Sequence, residues 1–169
     1  MPSIVLQQVS SPYARKNAGA TLDKPVGIKL YAKFLEPALV TALYELSPDG
    51  KIYIWGSKDE RWPQFEKISP RNSVVLFRRG KRIIYHGLIV ETTRNESLAL
   101  SLWGRDADGE TWPLIFFLRR VVRIGKDAAK MNEALGRKPN DNWQGMTAVY
   151  IKDSKKLQEY LARELNATT

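Results

Sequence analysis

Ala99-Leu-Ser-Leu-Trp103-Gly-Arg-Asp-Ala-Asp-Gly-Glu-Thr-Trp112-Pro-Leu-Ile-Phe-Phe-Leu118 sets two tryptophans on either side of a Gly/Asp-rich turn. Trp103 opens the turn, and Trp112 stands at the mouth of an unbroken apolar run over residues 114–118, the pattern of a buried strand. The preceding Thr92-Thr-Arg-Asn-Glu-Ser97 is a polar break after another apolar run. The unit therefore reads as strand, short helix or loop, tryptophan, turn, strand. It predicts a rigid aromatic held at a loop on a rigid base.

Outward from this unit, the chain alternates short apolar runs with turn signals. Val74-Val-Leu-Phe77 and Ile83-Ile-Tyr-His-Gly-Leu-Ile-Val90 predict a hairpin with Gly80 at a basic tip, Arg78-Arg-Gly-Lys-Arg82. Lys51-Ile-Tyr-Ile-Trp55-Gly-Ser57 predicts a strand that ends at a tryptophan, after a Ser47-Pro-Asp-Gly50 turn. Apolar spacing over residues 28–46 fits a helix face, with Pro37 as a start rather than an interruption and Glu36 or an earlier residue at its boundary. Trp62, Phe65 and Ile68 fit one face of a short helix and are assigned to packing. Arg119-Arg-Val-Val-Arg-Ile124 continues or follows the strand, up to Gly125. A short helix then ends at Gly136, a loop carries Trp143, a strand spans 146–151, and an amphipathic helix spans 154–165. Residues 1–25 read as an irregular lead-in and 26–169 as one domain. The order predicts a small α+β domain on a mixed or closed sheet; periodicity alone leaves closure open.

Composition narrows the function classes. The 169 residues suffice for one domain with a sizeable core, and 27 Lys+Arg against 18 Asp+Glu give +9, a balance that favours a polyanionic partner. A basic surface unconnected with nucleic acid would have the same balance. There is no cysteine and a single histidine, His86, so thiolate zinc sites, disulfides and imidazole clusters are excluded. No apolar run approaches the roughly 20 residues that span a bilayer, and the start lacks a basic leader, which leads us to expect a cytoplasmic protein. No nucleophile motif, phosphate loop or metalloprotease motif occurs. Asp106, Asp108 and Glu110 fit turn chemistry better than a calcium loop, whose remaining positions are missing. The expectation is a binding domain without cofactor, metal or catalytic residue.

The elements Ile54-Trp55-Gly-Ser57, Ser73-Val-Val-Leu-Phe77, Tyr85-His-Gly-Leu-Ile-Val90, Leu102-Trp103-Gly-Arg-Asp-Ala-Asp-Gly-Glu-Thr-Trp112-Pro and Asn142-Trp-Gln-Gly-Met146 carry a resemblance. Together they resemble the EVE and YTH branch of the PUA-like superfamily, and in particular the N-terminal recognition domains of archaeal McrB-type modification-dependent restriction GTPases. The resemblance covers roughly residues 50–150. It implies a small, partly closed β-barrel-like mixed sheet flanked by helices, which binds without catalysis.

The resemblance further implies an aromatic cage that holds a methylated base flipped out of double-stranded DNA, with 6-methyladenine as the expected guest. Its walls match Trp55 and Trp103, with Gly56 offering a backbone carbonyl and Ser57 following it; a purine would give two facing indoles more to stack on than cytosine does. Trp112 would close the cage or join the core, and Trp143 would border the pocket or cover a sheet edge, with Asn142 beside it. Ser47, Asp49, Asn142 and Trp143 are the candidates for base-edge contacts. Arg78, Arg79, Lys81 and Arg82 are the expected phosphate ligands, unless they form only a solvated charge run; Arg119, Arg120 and Arg123 stand in reserve. If the chain is part of a longer protein, the resemblance implies a GTPase hexamer and a McrC-type nuclease subunit as partners. A PUA-like reader of RNA is the alternative, and a stand-alone enzyme the third reading.

Overall fold

The computed structural model describes residues 3–151 and, beyond them, residues 155, 159, 162 and 163, which are helical. Most of the helix expected over 154–165 therefore lies outside the described residues. The chain runs β1 (Ser3–Gln8), α1 (Pro12–Thr21), β2 (Val26–Gly27), two 3₁₀ turns (Ile28–Leu30 and Ala32–Phe34), α2 (Pro37–Leu46) and β3 (Lys51–Ser57). A further 3₁₀ turn (Asp59–Arg61) leads into α3 (Trp62–Phe65). The order then continues β4 (Ser73–Arg79), β5 (Arg82–Arg94), α4 (Glu96–Trp103), β6 (Leu114–Asp127), α5 (Ala128–Ala134) and β7 (Met146–Tyr150).

The strands form one mixed sheet in the order β2-β3-β6-β5-β4-β1-β7. Among the described strands only β1 and β4 pair in parallel, Ser3 opposite Ser73 through Gln8 opposite Arg78. The sheet curls on itself without closing. Its sixth and second strands meet through side chains: Ser57 Oγ on β3 donates to Gln7 Oε1 on β1 at 3.1 Å. This is the expected α+β architecture, a mixed sheet flanked by helices, and it is not closed.

Both faces of the sheet are covered, which is why the strands read as continuous apolar runs rather than alternating ones. Within β6, Leu114, Phe116 and Leu118 point into the curl with Val5, Trp55, Val75 and Phe77, under α1 and α3. Ile115 and Phe117 point outward with Ile52 and Ile54 against α2 and α4. A third cluster sets Ile4, Leu6, Val74 and Leu76 against Ala128 and Met131 of α5.

Of the irregular lead-in expected over residues 1–25, the described residues 3–25 form a strand and a helix instead. Ile4, Val5 and Leu6 are fully buried in β1, between β4 and β7. Ser11 then caps α1, its hydroxyl accepting from the Ala14 N–H at 3.2 Å, with Pro12 at the first helical position. An apolar run flanked by polar residues at the start of a chain looks dispensable until its two neighbours, one 70 residues away around Val74 and the other at the far end of the sheet around Ala148, are in place. The helix expected over 28–46 is two 3₁₀ turns followed by α2, with Glu36 and Pro37 at the boundary the proline signals. Phe65 and Ile68 are buried as expected, but Trp62 is 40% exposed.

Candidate nucleic-acid interface

One end of the curled sheet opens into a cleft of about 1180 Å³. Its floor is the end of β3, Trp55-Gly56-Ser57, beside Gln7 of β1; Ser11 and Ala14 of α1 and the half-buried Trp112 form one side. Asn142 and Gln144 from the loop before β7 face them, and Lys81 and Arg82 from the β4–β5 turn stand on the rim. The loop is held in place by polar contacts: Gln8 Nε2 donates to the Asn142 carbonyl, and the Gln8 N–H to the Gly145 carbonyl at 3.1 Å. Gly145 has φ +62°, and a Cβ there would lie 2.8 Å from the Arg61 guanidinium, so only glycine lets that side chain lie across the loop.

Trp55 is 3% exposed, its ring edge-on to Phe77 at 5.5 Å, and its buried Nε1 has no hydrogen-bond partner. It forms the floor of the cleft rather than a free-standing wall. Trp103 lies on the other side of β3. A Cβ on Gly56 would sit 2.5 Å from the Trp103 ring and 2.6 Å from the Trp112 carbonyl, so the indole packs onto the bare glycine backbone. Since successive residues of a strand point to opposite faces, the indole over Gly56 cannot face the indole of Trp55. Trp103 instead joins the outer cluster, 5% exposed, and donates from Nε1 to Thr21 Oγ1 at 3.2 Å. The expected Trp55–Trp103 sandwich is not formed, and of the expected cage residues Trp55, Gly56, Ser57 and Trp112 line the cleft.

The remaining expected contacts divide in the same way. Trp143 is fully buried against α5, its Nε1 bonded to Asn132 Oδ1, whereas Asn142 lines the cleft. Ser47 and Asp49 bond each other at 2.9 Å, and Asp49 accepts from the Lys51 N–H at 3.1 Å; that backbone bond first, then Ser47, holds its carboxyl below the usual range. They complete the turn before β3, at the end of that strand away from the cleft. The Asp106 carboxylate takes the Asp108 and Glu110 amides, at 2.9 and 3.0 Å, and binds Lys58, which also reaches Glu110 at 3.1 Å. Lys58 is thereby committed to the 104–111 turn.

The arginines also separate. Arg78 lines the cleft but is only 6% exposed: Nε donates to the Gly80 carbonyl at 2.7 Å, Nη1 to the Asp141 carbonyl, and the guanidinium lies 5.4 Å from the Trp143 ring centroid. It fastens the hairpin to the loop before β7, and its assignment to phosphate is corrected accordingly. Arg79 is half-buried and donates to the Val9 carbonyl at 3.2 Å. Lys81 and Arg82 are exposed on the rim. Arg119, Arg120 and Arg123 are exposed but do not line the cleft. Arg119 lies near enough to Asp49 to favour its charged form, which puts it towards the other end of β3. Arg120, at φ +51°, sits in a bulge of β6 opposite Gly87.

Gln7 and Gln144 escaped the sequence reading. Gln7 was missed with its strand; once β1 is recognised, Gln7-Gln8 before the capping Ser11 places amides at its open end.

A solved structure, the N-terminal domain of Thermococcus gammatolerans McrB bound to m5C DNA, superposes on 99% of this chain and 99% of its own with a TM-score of 0.69 at 19% identity. The fold is that of a McrB N-terminal domain. No protein-family model matches the sequence, and neither does any curated protein. Among the described residues no helix is long and apolar enough to cross a membrane.

Proposed function

We propose that the chain is a DNA-binding specificity domain that receives a modified base, flipped out of a duplex, in the cleft at the open end of the sheet. One observation carries this: an apolar floor at Trp55-Gly56-Ser57 and an available aromatic, Trp112, share a cleft with the exposed cations Lys81 and Arg82, in a fold whose solved neighbour was bound to m5C DNA. A paired base hides both faces and its Watson–Crick edge, so entry requires extrusion, which costs a few kcal/mol. Stacking on Trp112 offsets this by about 1–3 kcal/mol, and the rim cations add sequence-independent attraction to phosphate.

The choice of guest follows from the same geometry. Preference for a purine rested on two facing indoles, and with Trp103 behind the sheet that reason is gone. With that reason removed, we place 5-methylcytosine first, because the solved neighbour was bound to m5C DNA, and 6-methyladenine second. Burying one methyl group contributes about 0.8 kcal/mol, roughly a fourfold preference, so larger discrimination requires base-edge contacts from Gln7, Asn142 or Gln144. The domain supplies recognition and no chemistry of its own. In a McrBC-type restriction system it would direct a GTPase motor and a nuclease subunit to modified DNA.

Titration of one duplex sequence carrying 5-methylcytosine, 6-methyladenine or no modification, beside the same sequence as RNA, tests the reading. We expect the modified DNA duplex to bind at least about fourfold tighter than the unmodified one, and Trp112→Ala to abolish that difference while leaving salt-sensitive background binding. Equal affinities for all duplexes would overturn modified-base reading; tighter binding to RNA would transfer the domain to the RNA-reading class.

A further inference from the structure

Extruding a base leaves a gap in the duplex, one step of about 3.4 Å along the strand, and an empty gap exposes the faces of the flanking bases. Side chains that fill such a gap are flat or apolar, exposed before binding, and stand beside the pocket rather than inside it. Among the described residues five large apolar side chains are exposed: Tyr13, Leu30, Tyr44, Trp62 and Tyr150. Tyr13 and Trp62 are the two whose sequence neighbours line the cleft.

The surroundings separate them. Tyr13 is 39% exposed at the start of α1, between the cleft-lining Ser11 and Ala14, and does not itself line the cleft. Its ring stands 6.1 Å from that of Trp112, tilted by 44°, so it sits next to the aromatic on which the extruded base would stack. The first turn of α1 carries no acidic residue, and the following Arg15 and Lys16 are exposed cations. Trp62 leans at 5.8 Å on Phe65, which belongs to the core, and follows Arg61, whose guanidinium is already laid against Gly145 in the loop before β7. On the α1 side, a duplex approaching the cleft meets an exposed ring followed by two exposed cations.

We propose that Tyr13 is the wedge that enters the duplex and occupies the place of the extruded base, with Arg15 and Lys16 on the adjoining phosphates. The proposal rests on the base-flipping reading above and adds the residue that stabilises the vacated duplex. Because a single strand has no stack to fill, a wedge matters only for duplex DNA. A wall of the base pocket matters for both forms.

The test compares parent, Tyr13→Ala, Tyr13→Phe and Trp62→Ala on a duplex and on a single strand that carry the same modified base. The expected result is about tenfold weaker duplex binding by Tyr13→Ala, the equivalent of one lost stacking contact, with single-strand binding within about twofold of the parent. Tyr13→Phe keeps duplex binding, and Trp62→Ala changes neither form. Equal losses on both forms would make Tyr13 a pocket wall, and an undiminished duplex affinity would remove it from the interface; either overturns the proposal. A parent that does not prefer the modified duplex overturns the base-flipping reading itself, and that result is visible before any variant is measured.

Discussion

Tyr31 illustrates how a single side chain sets a stability limit. It is 1% exposed, its ring stacked on Phe117 at 6.2 Å and 19°, and among the described residues its hydroxyl has no hydrogen-bond partner. Burial first, and the nearby Tyr44 second, push its ionisation well above the ordinary tyrosine value. The unfolded chain releases this proton near pH 10, whereas the folded chain holds it. The contribution is therefore complete below about pH 10 and is lost as pH rises through the folded value. Melting temperatures measured from pH 8 to 11 should fall more steeply for the parent than for Tyr31→Phe. At neutral pH the phenylalanine variant should be as stable or more so, since leaving a buried hydroxyl unpaired costs about 1–3 kcal/mol. Parallel curves, or a variant less stable at neutral pH, would contradict this account.

At the scale of elements, the β4–β5 hairpin performs two tasks with similar side chains. Arg78 faces inward to two carbonyls and the Trp143 ring, while Lys81 and Arg82 face solvent on the cleft rim. Arg78→Ala should lower stability by about 2 kcal/mol or more, the scale of a desolvated cation–aromatic contact together with two lost hydrogen bonds. Replacing Lys81 and Arg82 with alanine should leave the melting temperature unchanged and flatten the dependence of log affinity on log salt by roughly 0.9 for each phosphate contact removed. Denaturation and salt titration read the two effects separately, and a changed salt slope with unchanged stability in Arg78→Ala would reverse the assignment. Composition could not draw this line, because burial of a guanidinium depends on a loop 63 residues away. Local signals were legible where local chemistry decides: Gly80 in its turn, Gly50 at φ +75°, Pro37 opening α2, Gly136 ending α5. The facing of Trp103 was not. Parity along β3 separates Trp55 from Gly56, but the face on which α4 docks is set by the whole outer cluster.

Across the whole molecule, the sheet depends on its earliest strand. β1 is the parallel partner of β4 and the antiparallel partner of β7, and it carries Gln7, which accepts from Ser57 across the curl. Removing residues 1–9 should abolish the cooperative thermal transition, because β7 loses its neighbour in the described sheet and the cleft loses part of its floor. Calorimetry would decide; a truncated chain melting cooperatively near the parent temperature would show that β1 is dispensable. The parallel pairing also bears on how the protein comes into being. A ribosome adds about 5–20 residues per second, so β1 emerges seconds before β4, and roughly 7 to 28 seconds separate it from β7. During synthesis Ile4, Val5 and Leu6 are an unpaired apolar edge with nothing yet to pair with, so the nascent chain is most open to misassembly at the strand its finished sheet can least do without.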